Sequence, residues 1–302
     1  MRTRRSILTV GIAAAFAVSL HAAPAFAQEK KMPVIATFSI LGDLVKNVGG
    51  DRIEVATLVG PNGDAHVYAP TPADAKKVAA AKVVFVNGLG FEGWMTRLVK
   101  ASGTKAPTVT AAKGVKSRKM EEEGHGQVTD PHAWQSVPNT KIYIGNIRDG
   151  LVAADPAGKS VYEANASAYL AKLDALEAEV KDVIGKIPAD HRRIITSHDA
   201  FGYFGAAYGI EFIAPEGVST EAAASAKDVA RIIVQIKKQK IPAVFMENIT
   251  DPRMMEQIAK ESGAKIGGSL FSDALSDENG PAVSYIDMMR NNIRQLSSAL
   301  TS

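Results

Sequence analysis

"DPAGKSVYEANASAYLAKLDALEAEVKDVIGKIP", residues 155–188, is the stretch on which the fold turns. It opens with Asp155 as a capping acid and Pro156 at the first helical position, and its pattern stays helical until Pro188. Thirty-odd residues at about 1.5 Å each would span roughly 45 Å, more than one small domain needs. A helix that long reads as a strut joining two lobes.

Both flanks support this. Upstream, residues 33–40 and 53–60 read as buried strands, 41–50 as a helix ended by two glycines, and 82–90 as a strand running into a glycine loop. Residues 71–81 open with a Thr71 cap, Pro72 and the acid Asp74 in the first turn. Residues 116–131 are polar and aperiodic, which predicts a surface loop, and the pattern turns helical from 138. Downstream, strands are expected at 192–197, 210–214, 241–247 and 264–268, with helices at 225–240, 251–263 and 283–300. Alternating strands and helices predict an α/β fold, two βα lobes each with a mainly parallel sheet, joined by a single long helix. The expected organisation is an N-terminal lobe over 28–137, a helical segment with the linker helix over 138–188, and a C-terminal lobe over 189–302.

Residues 1–27, "MRTRRSILTVGIAAAFAVSLHAAPAFA", combine a basic start, a short apolar run and a small-x-small ending. That layout predicts an export signal cleaved before Gln28, by either the general or the twin-arginine route. The 302-residue chain carries 35 Lys+Arg and 32 Asp+Glu. Arg2, Arg4 and Arg5 fall in the signal, so basic and acidic residues balance in the remainder and no nucleic-acid partner is expected. The absence of cysteine rules out disulfides, thiolate metal sites and thiol nucleophiles. With no cysteine to carry a lipid after the signal, a soluble periplasmic protein that is not a lipoprotein is expected.

Ligands of α/β sheets bind beyond the carboxyl ends of the strands. His66 follows the second strand, His132 precedes the central helices, His198 follows "RRIITS", and Asp273 lies in the loop after the last strand. A lone histidine in such a loop is often a surface or capping residue. Four such groups at equivalent topological places could instead meet in the cleft between the lobes. Three imidazoles and one carboxylate form an N/O set suited to tetrahedral Zn²⁺.

The stretches "GDAHVYAPTPAD", "DPHAWQSVPN", "TSHDAFGYFGAAYGI", "EGVSTEAAASAKDVARI" and "LFSDALSDENGPAVSYIDMMRNNI" resemble, in order, the metal-binding solute-binding proteins of ABC importers, the zinc and manganese receptor family (cluster A-I). The resemblance runs over nearly the whole chain after the signal. It implies a receptor that delivers Zn²⁺ to an ABC permease in the inner membrane, and that is not an enzyme. Loading by a periplasmic metallochaperone and a monomeric state go with that expectation. The implied metal ligands are His66, His132, His198 and Asp273. Manganese-type members carry Glu where this chain has His198, so the resemblance implies the zinc type, with Mn²⁺ as the alternative. The loop "KMEEEGHGQVTD", with its single His125, is far poorer in histidine than the loop of many zinc receptors.

Asp64, Asp130, Asp199, Glu221 and Glu247 are candidates to orient the ligating imidazoles. Among them Asp130, just before Pro131, looks most like a helix cap, and Glu221 and Glu247 are the better candidates. Trp134 either lines the cleft or packs in the core, and Phe201, Tyr203, Phe204 and Tyr208 read as packing residues. A zinc hydrolase would need an open coordination position. A Ser-His-Asp hydrolase built on His198 and Asp199 lacks a G-x-S-x-G elbow. Members of the same fold that bind host molecules are a further class. The long helix predicts small lobe movements rather than wide closure.

Overall fold

A computed structural model describes residues 30–122 and 126–301; the signal segment 1–27 and His125 lie outside the described residues. Lys31–Ser302 forms one compact unit containing two four-stranded sheets.

The first sheet contains β1 (Met32–Phe38), β2 (Ile53–Val59), β3 (Val83–Val86) and β4 (Thr108–Thr110), interleaved with α1 (Ser39–Gly49), α2 (Pro72–Ala80) and α3 (Met95–Ser102). All its pairings are parallel and the strand order is β2-β1-β3-β4. The Val83–Val86 strand is buried at every position and β1 over its last five, so their apolar runs need no alternation. Thr71 caps α2 in a reciprocal capping box with Asp74, with Pro72 at the first turn, as expected. The three-residue β4 was not anticipated; it is too short to show periodicity.

The polar segment expected to be a loop instead contains an antiparallel ribbon, β5 (Lys119–Glu122) paired with β6 (Gly126–Thr129). Gln127 on β6 is exposed and Val128 and Thr129 are half-buried, and a ribbon of mostly polar residues gives no apolar alternation to read.

Two helices follow, α4 (Val137–Ala154) and α5 (Lys159–Gly185). The long helix is present, but it begins after a 3₁₀ turn at Pro156–Gly158 rather than at Asp155. Asp155 makes no capping bond. Its carboxylate accepts Arg52 Nε at 3.0 Å and the Tyr162 hydroxyl at 2.7 Å. A local capping signal has been overridden by a guanidinium from the first sheet's side.

The second sheet contains β7 (Arg193–Ile195), β8 (Glu211–Ile213), β9 (Ala243–Glu247) and β10 (Lys265–Leu270). Around it lie α6 (Gly202–Tyr208), α7 (Ala226–Gln239), α8 (Arg253–Ser262) and the closing α9 (Tyr285–Leu300). The order is β10-β9-β7-β8, all parallel, which repeats the order of the first sheet. Each sheet therefore has the same switch point, between its first and third strands, where a crevice opens at the carboxyl ends.

The two halves are packed together by α4, α5 and α9. The backbone N–H of Tyr285, at the start of α9, donates to Asp43 on α1 at 2.9 Å. Tyr143, Tyr162, Leu173 and Tyr285 are fully buried along these helices.

β10 bends shortly before the loop that carries Asp273. Its register against β9 shifts between Ile266 and Ser269, across Gly267 and Gly268, and Gly268 has φ 119°. A side chain there would meet both a disfavoured backbone region and the Gln295 side chain. Gly268→Ala is expected to lower stability by about 1–3 kcal/mol, read as a lower urea midpoint at unchanged m-value.

Candidate metal centre

His66 lies in the loop between β2 and α2. Its backbone N–H donates to Asp64 Oδ1 at 2.8 Å, and the Asp64 Oδ2 accepts the Thr220 hydroxyl at 2.5 Å. The preceding carbonyl, Ala65, accepts the Trp94 indole N–H at 2.7 Å. Phe91 packs its ring against the imidazole with centroids 4.8 Å apart.

His132 follows β6. Asp130 Oδ1 accepts both its backbone N–H and its Nδ1–H, each at 2.9 Å. Asp130 is therefore the carboxylate behind a candidate ligand and not the helix cap expected from the Asp-Pro pair. With Nδ1 protonated, the Nε2 lone pair is free to bind a cation. Arg118 Nε lies 3.4 Å from the other Asp130 oxygen.

His198 stands just beyond the carboxyl end of β7, as expected. Its backbone N–H donates to Glu247 Oε1 at 2.9 Å, and its Nδ1 lies 2.7 Å from Glu247 Oε2. Glu247, the last residue of β9, plays the orienting part expected of it. Glu221 does not: it is exposed, and its neighbour Thr220 reaches Asp64 instead. Asp199 makes no hydrogen bond to His198 among the described residues; its backbone N–H donates to Gly217 O, and burial pushes its carboxyl up to about 6.

The structure brings all four predicted groups together. Their candidate donor atoms lie within 4.8 Å of one another. His66 Nε2 is 3.2 Å from His132 Nε2 and 3.1 Å from Asp273 Oδ2; His198 Nε2 is 3.3 Å from the same oxygen, and His132 Nε2 3.5 Å from Asp273 Oδ1. Donors about 2.0–2.1 Å from a tetrahedral Zn²⁺ would stand about 3.3 Å apart. His132, His198 and Asp273 are fully buried, and His66 is 8 % exposed, the edge of the cluster nearest solvent. His198 Nε2 and both Asp273 oxygens have no hydrogen-bond partner among the described residues. Buried polar atoms left in this state are costly unless something else binds them.

The electrostatics agree. Burial pulls the His66 imidazole down. Burial also acts against charge on His132, but Asp273 and Asp130 outweigh it and push that imidazole up to about 9. Glu247 and Asp273 likewise raise His198 well above its ordinary value. Burial alone would raise Asp273; His132 and His198 overcome it and hold the carboxyl well below the usual range. The cluster attracts positive charge, and in the absence of a cation it holds protons.

Several supporting residues were not anticipated. Glu92 is buried after β3, where it accepts the Thr37 hydroxyl and Asn87 N–H, each at 2.6 Å, and the Gly88 N–H at 3.2 Å. Burial raises its pKa. Asn87, so fixed, donates to Pro131 O at 2.9 Å, one residue before His132, and accepts the Tyr143 hydroxyl at 2.5 Å. The only sequence trace of this network is a glutamate set among glycines and aromatics at a strand end. Trp134 is fully buried, and its indole N–H donates to Ser272 O at 2.9 Å. The chain's two tryptophans thus each hold the carbonyl of the residue just before a predicted ligand, Ala65 before His66 and Ser272 before Asp273.

Comparison with known proteins follows the same lines. The chain is 35 % identical over 270 residues to the manganese-binding lipoprotein MntA of Halalkalibacterium halodurans, covering 89 % of each chain. It is 34 % identical over 276 residues to the manganese ABC transporter substrate-binding lipoprotein PsaA of Streptococcus pneumoniae, again covering 89 % of each. The periplasmic zinc-binding protein TroA of Treponema pallidum superposes with a TM-score of 0.84 at 30 % identity, over 90 % of this chain and 99 % of that one. The expectation of a periplasmic protein that is not a lipoprotein is corrected by these relatives, two of which are named lipoproteins. That expectation rested on the missing cysteine, an absence that does not place the protein in solution. The model of the zinc-uptake complex component A family (ZnuA) matches residues 34–299, and the chain belongs to that family of metal-binding receptors of ABC importers, whose members are substrate-binding proteins and not enzymes.

Proposed function

We propose that this protein is a receptor that takes up Zn²⁺ with His66, His132, His198 and Asp273 as its four ligands and passes it to the permease of an ABC importer. In this reading the lobe over 28–137 and the lobe over 189–302 clasp the ion between them. The observation that carries it is the cluster of four buried donors within 4.8 Å of one another, of which His198 Nε2 and both Asp273 oxygens have no hydrogen-bond partner among the described residues. Three imidazoles with one carboxylate suit Zn²⁺ better than an oxygen-preferring cation.

A second reading takes Mn²⁺ as the cargo. Both Asp273 oxygens turn inward, Oδ2 toward His66 and His198 and Oδ1 toward His132, which suits bidentate binding of a harder ion. Purified protein, stripped of metal and titrated with Zn²⁺ and Mn²⁺ against a competing chelator, is expected to bind one equivalent of Zn²⁺ more tightly than Mn²⁺. Failure to bind either ion near neutral pH overturns the receptor reading, and tighter Mn²⁺ binding overturns the choice of zinc.

Metal binding must displace the protons that the cluster holds. Because His132 and His198 are raised, apparent affinity should keep increasing with pH beyond the ordinary histidine range, toward about 9, and should weaken as pH falls. Titrations between pH 6 and 9 check this, with proton release read from the dependence of binding heat on buffer.

Glu247→Gln and Asp130→Asn each remove the charge behind one imidazole while keeping its shape. Each is expected to weaken Zn²⁺ binding by about 10–100-fold with little change in melting temperature, as measured by chelator competition and circular dichroism.

A further inference from the structure

We infer that Asp273 is held by the N-terminal half of the molecule, so that a bound ion is gripped by His66, His132 and Asp273 on one side of the seam and by His198 alone on the other. This rests on the metal-receptor reading and refines it. The chain position of Asp273, after the last strand of the second sheet, suggests two ligands from each lobe. The hydrogen bonds around it divide differently.

On its N-terminal side, Ser272 O accepts the Trp134 indole N–H at 2.9 Å and the Gln135 side-chain amide at 2.6 Å. On its C-terminal side, Leu275 N–H donates to Ser39 Oγ at 2.9 Å, and Leu275 O accepts the backbone N–H of Asn62, also at 2.9 Å. Ser39 begins α1, Asn62 lies in the loop that carries His66, and Trp134 and Gln135 directly follow His132. Four bonds from the first half thus bracket Asp273. The second half reaches the same loop through Asn248, whose amide donates to Ala274 O at 3.2 Å and also to Asn62 Oδ1 at 3.1 Å, and, two residues before Asp273, through Asn292 on α9, which accepts the Phe271 N–H at 2.9 Å and donates to Phe271 O at 2.8 Å.

His198 is bonded to its own sheet. Glu247 takes its backbone N–H, Thr196 Oγ1 donates to its carbonyl at 3.2 Å, and the flanking Ser197 and Asp199 pair with Glu216 and Gly217. Any displacement of the two sheets carries the His198 imidazole away with Glu247. Asp273, three residues beyond the end of β10, stays with His66 and His132 as long as the four bonds from the first half hold against those to Asn248 and Asn292. Ser39, Trp134 and Gln135 are then positioning residues that act on the metal through Asp273, and His198 is the ligand whose departure opens the site.

A double-mutant cycle separates this from a general structural effect. Zn²⁺ affinity is measured by chelator competition for Gln135→Leu in three backgrounds: wild type, Asp273→Ala and His198→Ala. Gln135→Leu is expected to weaken binding by about tenfold in wild type and in His198→Ala, and to change nothing in Asp273→Ala. Glu247→Gln should show the converse, losing its effect only in His198→Ala. Equal losses for Gln135→Leu in both single-ligand backgrounds, or no loss in any, overturn the partition. Ser39→Ala, which deletes one hydroxyl on the opposite side of the loop, carries the same cycle if Gln135→Leu does not fold. Failure of wild type to bind Zn²⁺ would overturn the receptor reading itself; binding by wild type with equal losses overturns only the partition.

Discussion

The structure is organised around one costly arrangement, three imidazoles and a carboxylate buried together with their lone pairs facing inward. Buried this deeply, His198 Nε2 and both Asp273 oxygens are left without a hydrogen-bond partner among the described residues, which is costly unless something else binds them. The rest of the fold supplies what makes the arrangement tolerable. Two sheets of the same strand order point their carboxyl ends at one another, and α4, α5 and α9 tie them into a single unit. Phe38, Phe91 and Trp134 pack in mutual contact behind His66 and His132, which fixes the rings and excludes solvent.

Charge balance gives this arrangement its chemical meaning. Asp130, Glu247 and Asp273 bring three negative charges against the imidazoles, and the Arg118 guanidinium beside Asp130 offsets one. The excess of negative charge suits a bound cation. Without one, the same negative charges draw protons onto His132 and His198, which is why those rings are pushed up despite full burial. Protons and metal compete for the same positions, so metal binding at the cluster depends on pH.

Much of this was legible in the sequence where the cause is local. Thr71, Pro72 and Asp74 form a capping box within one turn, and the apolar runs of β1, β3 and β9 register burial on both faces of a parallel sheet. The four candidate ligands were legible because strand ends converge in this class of fold. What was missed depends on contacts between distant residues. Asp155 has a capping signature, but Arg52, 103 residues earlier, claims its carboxylate. Asp130 has a similar signature and serves His132 instead. Glu221 and Glu247 looked alike, and only the pairing of β7 with β9 sets Glu247 behind His198. The β5–β6 ribbon is too polar to leave an apolar pattern.

The same commitments explain why a cluster with the ligands of a zinc enzyme belongs to a receptor. Catalysis would need an open coordination position and a free base beside it. Here Asp273 faces the cluster with both oxygens, closing the position that a water would take. The carboxylates bonded to the ligand residues are already engaged: Asp64 by His66 and Thr220, Asp130 by His132, and Glu247 by His198. A base spent on orienting an imidazole cannot also activate water. An arrangement of this kind holds an ion rather than turning over a substrate, in keeping with the family of ABC-importer receptors to which the chain belongs. His66, the one member of the cluster with any exposure, is where the four donors come nearest to solvent.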